Sequence, residues 1–213
     1  MQRVCNQSHP KLNPTRMLKI KFFPPDPKWE VPTPQECVAL WDLYQMPTNI
    51  RKHCQLVGNL AQEITCLAKD KISHPSPQLA LAAGLLHDLG KYYAIQHGGA
   101  HSQLGASLVR SHFVNPELAQ AVIHHVYWPG EIDLPQYFLV LTIIYSDKRA
   151  KHDQLVSIEE RFTDLFARYG TTPEKIKLIQ KSKRQVLEIE QKLSDFLEVD
   201  LQSYVFRRLQ TTG

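Results

Sequence analysis

From residue 33 onward apolar residues recur at intervals of three and four, the spacing of one face of an α-helix. Leu56, Val57, Leu60 and Ile64 form one such stripe. Leu118 with Val122, Val140 with Ile143 and Ile144, and Phe162 with Leu165 and Phe166 form others. Helix starts are written ahead of the stripes. Thr33-Pro34-Gln35-Glu36 combines a cap residue, a proline at the first helical position and a glutamate three residues after the cap. Ser76-Pro77, Asn115-Pro116 and Thr172-Pro173 repeat the cap-then-proline signal, and Ser157-Ile158-Glu159-Glu160 is a capping box without proline. No strand-rich stretch and no Asn-Gly or Asp-Gly hairpin turn interrupts the series. The pattern predicts an all-α chain of about eight helices in one bundle-like domain. The domain spans 33–213, and a long last helix runs from about 173 to 208. Residues 1–32 are Pro-rich and irregular, with a short extended piece expected where Leu18, Ile20 and Phe22 alternate.

Composition narrows the class. The chain has 213 residues, 43% hydrophobic and 22% charged, an ordinary globular balance for one domain. A formal net charge of +4 is too small and scattered to argue for nucleic acid. No 18-residue apolar run is present and the polar N-terminus lacks a signal-peptide core, so a cytoplasmic protein with no membrane partner is expected. Four cysteines without a CxxC pair read as reduced thiols. Five of the nine glycines (Gly84, Gly90, Gly98, Gly99, Gly105) fall between 84 and 105, which in a helical protein marks a turn or mobile loop giving ligands access. Histidine is the odd count. Seven of ten lie in residues 87–152, where an even scatter would put roughly three.

The chemistry gathers around LAAGLLHDLGK. That helix is apolar nearly all round and therefore buried, yet it ends in His87 and Asp88 before Gly90. A buried aspartate costs several kcal/mol unless it is paired or bound to a cation, on the order of 3–5 kcal/mol where a partner is missing. At a helix end the two side chains can converge on one ion. His53 lies on the Leu56/Val57/Leu60/Ile64 face and points inward. Asp147 follows Val140, Ile143 and Ile144 and also points inward. His53, His87, Asp88 and Asp147 thus form a two-imidazole, two-carboxylate set on three helices, suited to a divalent transition metal such as Mn, Fe, Co, Ni or Zn.

H…HD…D at these spacings, inside LLHDLGK and YSDKRAK, resembles the HD-domain superfamily of metal-dependent phosphohydrolases, in particular its small bacterial HDIG-type members. The similarity extends to Tyr44-Gln45-Met46-Pro47, Ile50-Arg51-Lys52-His53, His101-Ser102-Gln103-Leu104-Gly105-Ala106, Ala121-Val122-Ile123-His124-His125 and the run from Asp147 to Phe162, covering roughly residues 33–170. It departs from the family motif only in Leu89, where many members carry isoleucine. The resemblance implies one ion held by His53, His87, Asp88 and Asp147, or two ions with Asp88 bridging when His101 and His125 join. Register favours His125 over His124 as the ligand and leaves His124 as a neighbour that touches substrate. His97 is a loop candidate.

A metal lowers the pKa of bound water towards neutrality, which makes a nucleophile available at pH 7. Asp147 can also accept a proton from that water. Lys91, three residues after Asp88, and Arg149 are placed to neutralise phosphate. The reading is a phosphohydrolase acting on a phosphoester or phosphoanhydride of a small nucleotide-like compound, with Asp88, Lys91 and Asp147 as catalytic residues. The alternatives are a metal-containing nucleotide sensor without turnover and an HD-type dinuclear iron oxygenase. Substrate identity, the number of ions and a homodimer remain open at this point.

Overall fold

All five cap signals open helices in the computed structural model, which describes residues 20–207. Helix α1 spans Pro34–Leu43, α2 Thr48–Leu67, α3 Pro77–Leu86, α4 Lys91–His97, α5 His101–His112, α6 Pro116–His124, α7 Leu134–Arg149, α8 Ile158–Tyr169 and α9 Pro173–Leu197. At Thr33 the capping box closes in both directions. The side chains of Ser76, Asn115, Ser157 and Thr172 each accept a hydrogen bond from the backbone N–H three residues on. Each such cap is worth about 1 kcal/mol.

Helices α2, α3 and α7 form the centre. Helix α3 is apolar and buried from Leu79 to Leu86 save for the half-buried Leu81, and α7 is buried without a break from Phe138 to Arg149. The closest approach is between α2 and α3, where Gly84 meets Gly58. A Cβ on Gly84 would lie 2.4 Å from the Gly58 Cα. This crossing brings the α2 face bearing His53 next to the C-terminal end of α3, where His87 caps the helix.

Three expectations need correction. The glycine cluster is mostly a packing device. Gly84, Gly90 and Gly105 sit where neighbouring backbone leaves little or no room for a side chain, and only Gly98 and Gly99, with φ of 80° and 98°, form an open turn. The last helix ends at Leu197. Glu198 takes a left-handed cap (φ 57°) and the chain folds back so that Leu201 is fully buried. No glycine or proline marks that stop, so periodicity alone runs past it. A short antiparallel hairpin also follows α7, pairing β1 (Ala150–Lys151) with β2 (Gln154–Leu155). Strands of two residues carry no readable alternation. Leu18 lies outside the described residues. Ile20, Lys21 and Phe22 form no strand, though the Ile20 carbonyl accepts from the Tyr137 hydroxyl at 2.8 Å. Among the described residues no helix is long and apolar enough to cross a membrane.

Candidate metal centre

Six side chains from five places in the fold converge on one centre, with Asp88 in their midst. His53 comes from the second turn of α2, His87 and Asp88 from the end of α3, His101 from the start of α5, His125 from the cap of α6 and Asp147 from the last turn of α7. His53 Nε2 lies 3.0 Å from Asp147 Oδ1 and 3.9 Å from Asp88 Oδ2. His87 Nε2 lies 3.4 Å from Asp88 Oδ2 and 3.8 Å from Asp147 Oδ1. On the other side, His101 and His125 present Nε2 at 3.4 and 3.5 Å from Asp88 Oδ1, and 3.1 Å from each other. Each oxygen of Asp88 therefore faces its own pair of imidazoles. His125, and not His124, is the histidine turned to Asp88.

These separations suit ligands of a common ion. Two donors each about 2.1 Å from a tetrahedral or octahedral ion lie roughly 3.0–3.4 Å apart. Hydrogen-bond chemistry makes the same point. His53 Nδ1 lies 3.1 Å from the His152 carbonyl, His87 Nδ1 2.7 Å from the Gly84 carbonyl and His125 Nδ1 2.7 Å from the Val122 carbonyl. A carbonyl only accepts, so each Nδ1 donates and, in the neutral ring, each Nε2 is left as a bare lone pair. Those lone pairs point at carboxylate oxygens or at one another. His87 Nε2 and Asp88 Oδ1 are buried without any hydrogen-bond partner. Unsatisfied atoms of this kind, with outer-shell carbonyls fixing the tautomers, are what a cation in their midst resolves. The donor set fits one or two divalent ions.

Electrostatics keep the ligands in their binding forms. Burial pushes the Asp88 carboxyl up, but His87 and the Lys91 ammonium outweigh it and hold it well below the usual carboxylate range. For Asp147 burial is outweighed, first of all by the buried Lys148 ammonium. Burial pushes the His101 imidazole down to about 4, against the pull of Asp88, so it is neutral near pH 7.

The cations divide differently from the sequence expectation. Lys91 Nζ sits 2.5 Å from Asp88 Oδ2 and remains one-third exposed, at the mouth. Arg149 does not face the centre. Its Nε donates to the Val156 carbonyl at 2.7 Å, and its Nη1 reaches Tyr145, the Leu201 carbonyl and Glu190. The helical turn places residues 147 and 149 about 200° apart, so both cannot face one pocket. The cation beside the last ligand is Lys148, whose buried ammonium pairs with Asp147 Oδ2. Its adjacency to Asp147 in sequence was the available signal, and side-chain reach back along the helix end decided the matter. His124 packs edge-on against Trp128, with ring centroids 5.3 Å apart, and His97 lies against Tyr93, its ring tilted by 46°, at the end of α4. Cys54, the residue after His53 on α2, brings its Sγ within 4.8 Å of a His87 nitrogen and an Asp88 oxygen. Leu89, the residue after Asp88, lines a groove of about 520 Å³ with Tyr44, Tyr92, Tyr93, Leu104 and Leu108.

Comparison with known proteins gives the setting. The sequence profile of the HD domain matches residues 50–168, more than half of the chain. Over 48 residues the chain is 44% identical to Ribonuclease Y from Sulfurovum sp., a stretch covering 22% of this chain and 9% of that protein. Over 78 residues it is 31% identical to the uncharacterized protein MJ0778 of Methanocaldococcus jannaschii, covering 37% of this chain and 45% of that one. The chain thus spans less than half the length of either relative. No solved structure matches.

Proposed function

Because this chain belongs to the HD domain family of metal-dependent phosphohydrolases, we propose that it hydrolyses a phosphoester or phosphoanhydride of a small nucleotide-like compound at a two-ion centre. The observation that carries the reading is the position of Asp88 between two imidazole pairs, with one carboxylate oxygen facing each. His53, His87, Asp88 and Asp147 would hold one divalent transition ion, and Asp88, His101 and His125 the other. Bound divalent ions lower the pKa of water and polarise phosphoryl oxygens.

The chain's own residues supply the remaining functions. Asp88 draws both halves of the site onto one carboxylate. Asp147 has an oxygen turned to His53 that can take a proton from water. Lys91, partly exposed at the mouth, presents its ammonium to an incoming phosphate. Lys148 occupies the outer oxygen of Asp147 and leaves Oδ1 for the centre. The tyrosine-bearing groove beside Leu89 supports a substrate with a flat apolar part, as a nucleobase has.

Metal analysis of the purified protein combined with an activity screen tests this. Nucleotides, dinucleotides, sugar phosphates and short oligoribonucleotides form the panel, the last because of the likeness to Ribonuclease Y. Two ions per chain and hydrolysis of a panel member are expected. A single ion would reduce the site to a mononuclear one. Tight nucleotide binding by the metal-loaded protein without bond cleavage would favour a sensor instead.

A further inference from the structure

Of the three Nδ1–carbonyl contacts that orient the imidazoles, two are local. His87 and His125 each donate to the carbonyl three residues earlier in their own helix. His53 instead reaches 99 residues along the chain, to His152. Its orientation therefore depends on tertiary packing. His152 is the first turn residue of the hairpin between β1 and β2, and it adopts φ 57°, the left-handed region that a non-glycine residue rarely takes. The hairpin is anchored from both sides. At its base Val156 N–H donates to the Arg149 carbonyl at 2.8 Å, and the Arg149 Nε donates back to the Val156 carbonyl. The same guanidinium also holds the Leu201 carbonyl at 2.9 Å. At its tip Asp153 lies 3.6 Å from Lys52, the residue preceding His53.

We propose that this hairpin is a positioning device for the metal centre. In it Arg149 clamps the base and the left-handed His152 delivers its backbone carbonyl to His53 Nδ1, which fixes the tautomer that leaves Nε2 free for an ion. The hairpin begins three residues after Asp147, so one segment sets both Asp147 and His53, whose side chains meet at 3.0 Å. The acting group is a main-chain carbonyl. The identity of residue 152 matters only through the backbone shape it permits. The inference rests on the reading of His53 as a ligand.

Full-length His152→Gly and His152→Val distinguish the idea. Glycine accepts φ near 57° at no cost, whereas a β-branched side chain resists it. Two quantities are read on protein stripped of metal: the His53 tautomer, from long-range nitrogen–proton correlation spectra assigned with His53→Gln, and the affinity for added Mn²⁺. His152→Gly should keep the Nδ1–H tautomer and an affinity within about threefold of the parent. His152→Val should lose that tautomer and bind Mn²⁺ about tenfold or more weakly, the usual effect of losing an outer-shell partner. His152→Thr repeats the comparison if His152→Val does not fold. Parent-like tautomer and affinity in the β-branched variant would overturn the proposal. So would an equal loss in His152→Gly, which would assign the effect to the imidazole side chain. An unaltered Mn²⁺ affinity in His53→Ala would overturn the ligand reading itself, independently of the hairpin.

Discussion

Replacing Gly84 by alanine tests the link between the helix crossing and the metal centre. The added Cβ would stand 2.4 Å from the Gly58 Cα, 2.5 Å from the Gly58 nitrogen and 2.9 Å from the Val57 carbonyl carbon. Non-bonded carbon atoms rest at about 3.5–4.0 Å, so α2 and α3 must separate by roughly 1 Å. Every atom met is backbone, and no rotamer change relieves the contact. Overpacking of this kind costs about 1–3 kcal/mol, and a backbone clash belongs at the upper end. For a chain of this size 3 kcal/mol corresponds to a fall in Tm of about 6–12 °C. The same displacement shifts His53 against His87, whose Nδ1 also bonds the Gly84 carbonyl. Metal affinity should therefore fall with stability. Gly58→Ala supplies the graded comparison, because its Cβ would meet Leu81 and Leu85 at 3.0–3.3 Å, mostly through side chains that can yield. Calorimetric melting of both variants, with Mn²⁺ titration of the metal-free proteins, reads the two effects. A Gly84→Ala protein with parental Tm and Mn²⁺ affinity would refute the argument, as would a larger loss in Gly58→Ala.

Asp88→Ala should lose both ions, because the carboxylate faces both imidazole pairs. Metal content by mass spectrometry checks it, and full occupancy contradicts the assignment. Divalent ion at about 100 times its Kd should stabilise the parent by about 2.7 kcal/mol, read as a rise of about 5–10 °C in Tm, and Asp88→Ala should show no rise. Lys148→Met strands the buried Asp147 carboxylate, so the metal-free protein should lose about 3 kcal/mol. Denaturant melts should show that loss shrinking when a divalent ion is added, and an unchanged midpoint without metal would exclude the pairing. The Cys37 thiol is pushed up to about 12 by burial, with Glu36 adding to the shift. An ordinary thiol near pKa 8.5 is about a quarter ionised at pH 8, whereas Cys37 should be ionised to about 1 part in 10,000. Iodoacetamide at pH 8 should spare Cys37 in the native protein and modify it in denaturant, as peptide mass spectrometry will tell.

Much of the fold was legible because the information is local. A cap residue, a proline and a returning glutamate lie within four positions, and Thr33, Ser76, Asn115, Ser157 and Thr172 all act as caps. The stop at Leu197 was not legible. It depends on Leu201 finding a buried site and Glu198 adopting a conformation its residue type does not announce. The glycine cluster was ambiguous for a similar reason. A glycine that frees a loop and one that admits another backbone look identical in sequence. Only the approach of Gly58 to Gly84 separates the two meanings.

The metal centre divides along the same line. His53 and Asp147 could be chosen because each lies on an apolar helical face, which is a local property, and His87 and Asp88 because they end a buried helix; His101 and His125 joined them through the resemblance to the HD domain, with inward register in support. What each cation does is not local. Lys148 and Arg149 are adjacent, equally charged and both buried, yet one pairs with a ligand and the other holds a hairpin and the chain beyond α9. The difference lies in residues far along the chain. Val156 and Leu201 offer Arg149 backbone carbonyls, which suit the several donors of a guanidinium, while Asp147 offers Lys148 a single charge. Two neighbouring cations thus serve the site by different routes, one through charge on Asp147 and one through the backbone that carries the His152 carbonyl to His53. Arg149→Lys should consequently be poorly tolerated, because an ammonium cannot bond Val156, Tyr145 and Leu201 in the same fork. Lys148→Arg should preserve the pairing with Asp147 more nearly.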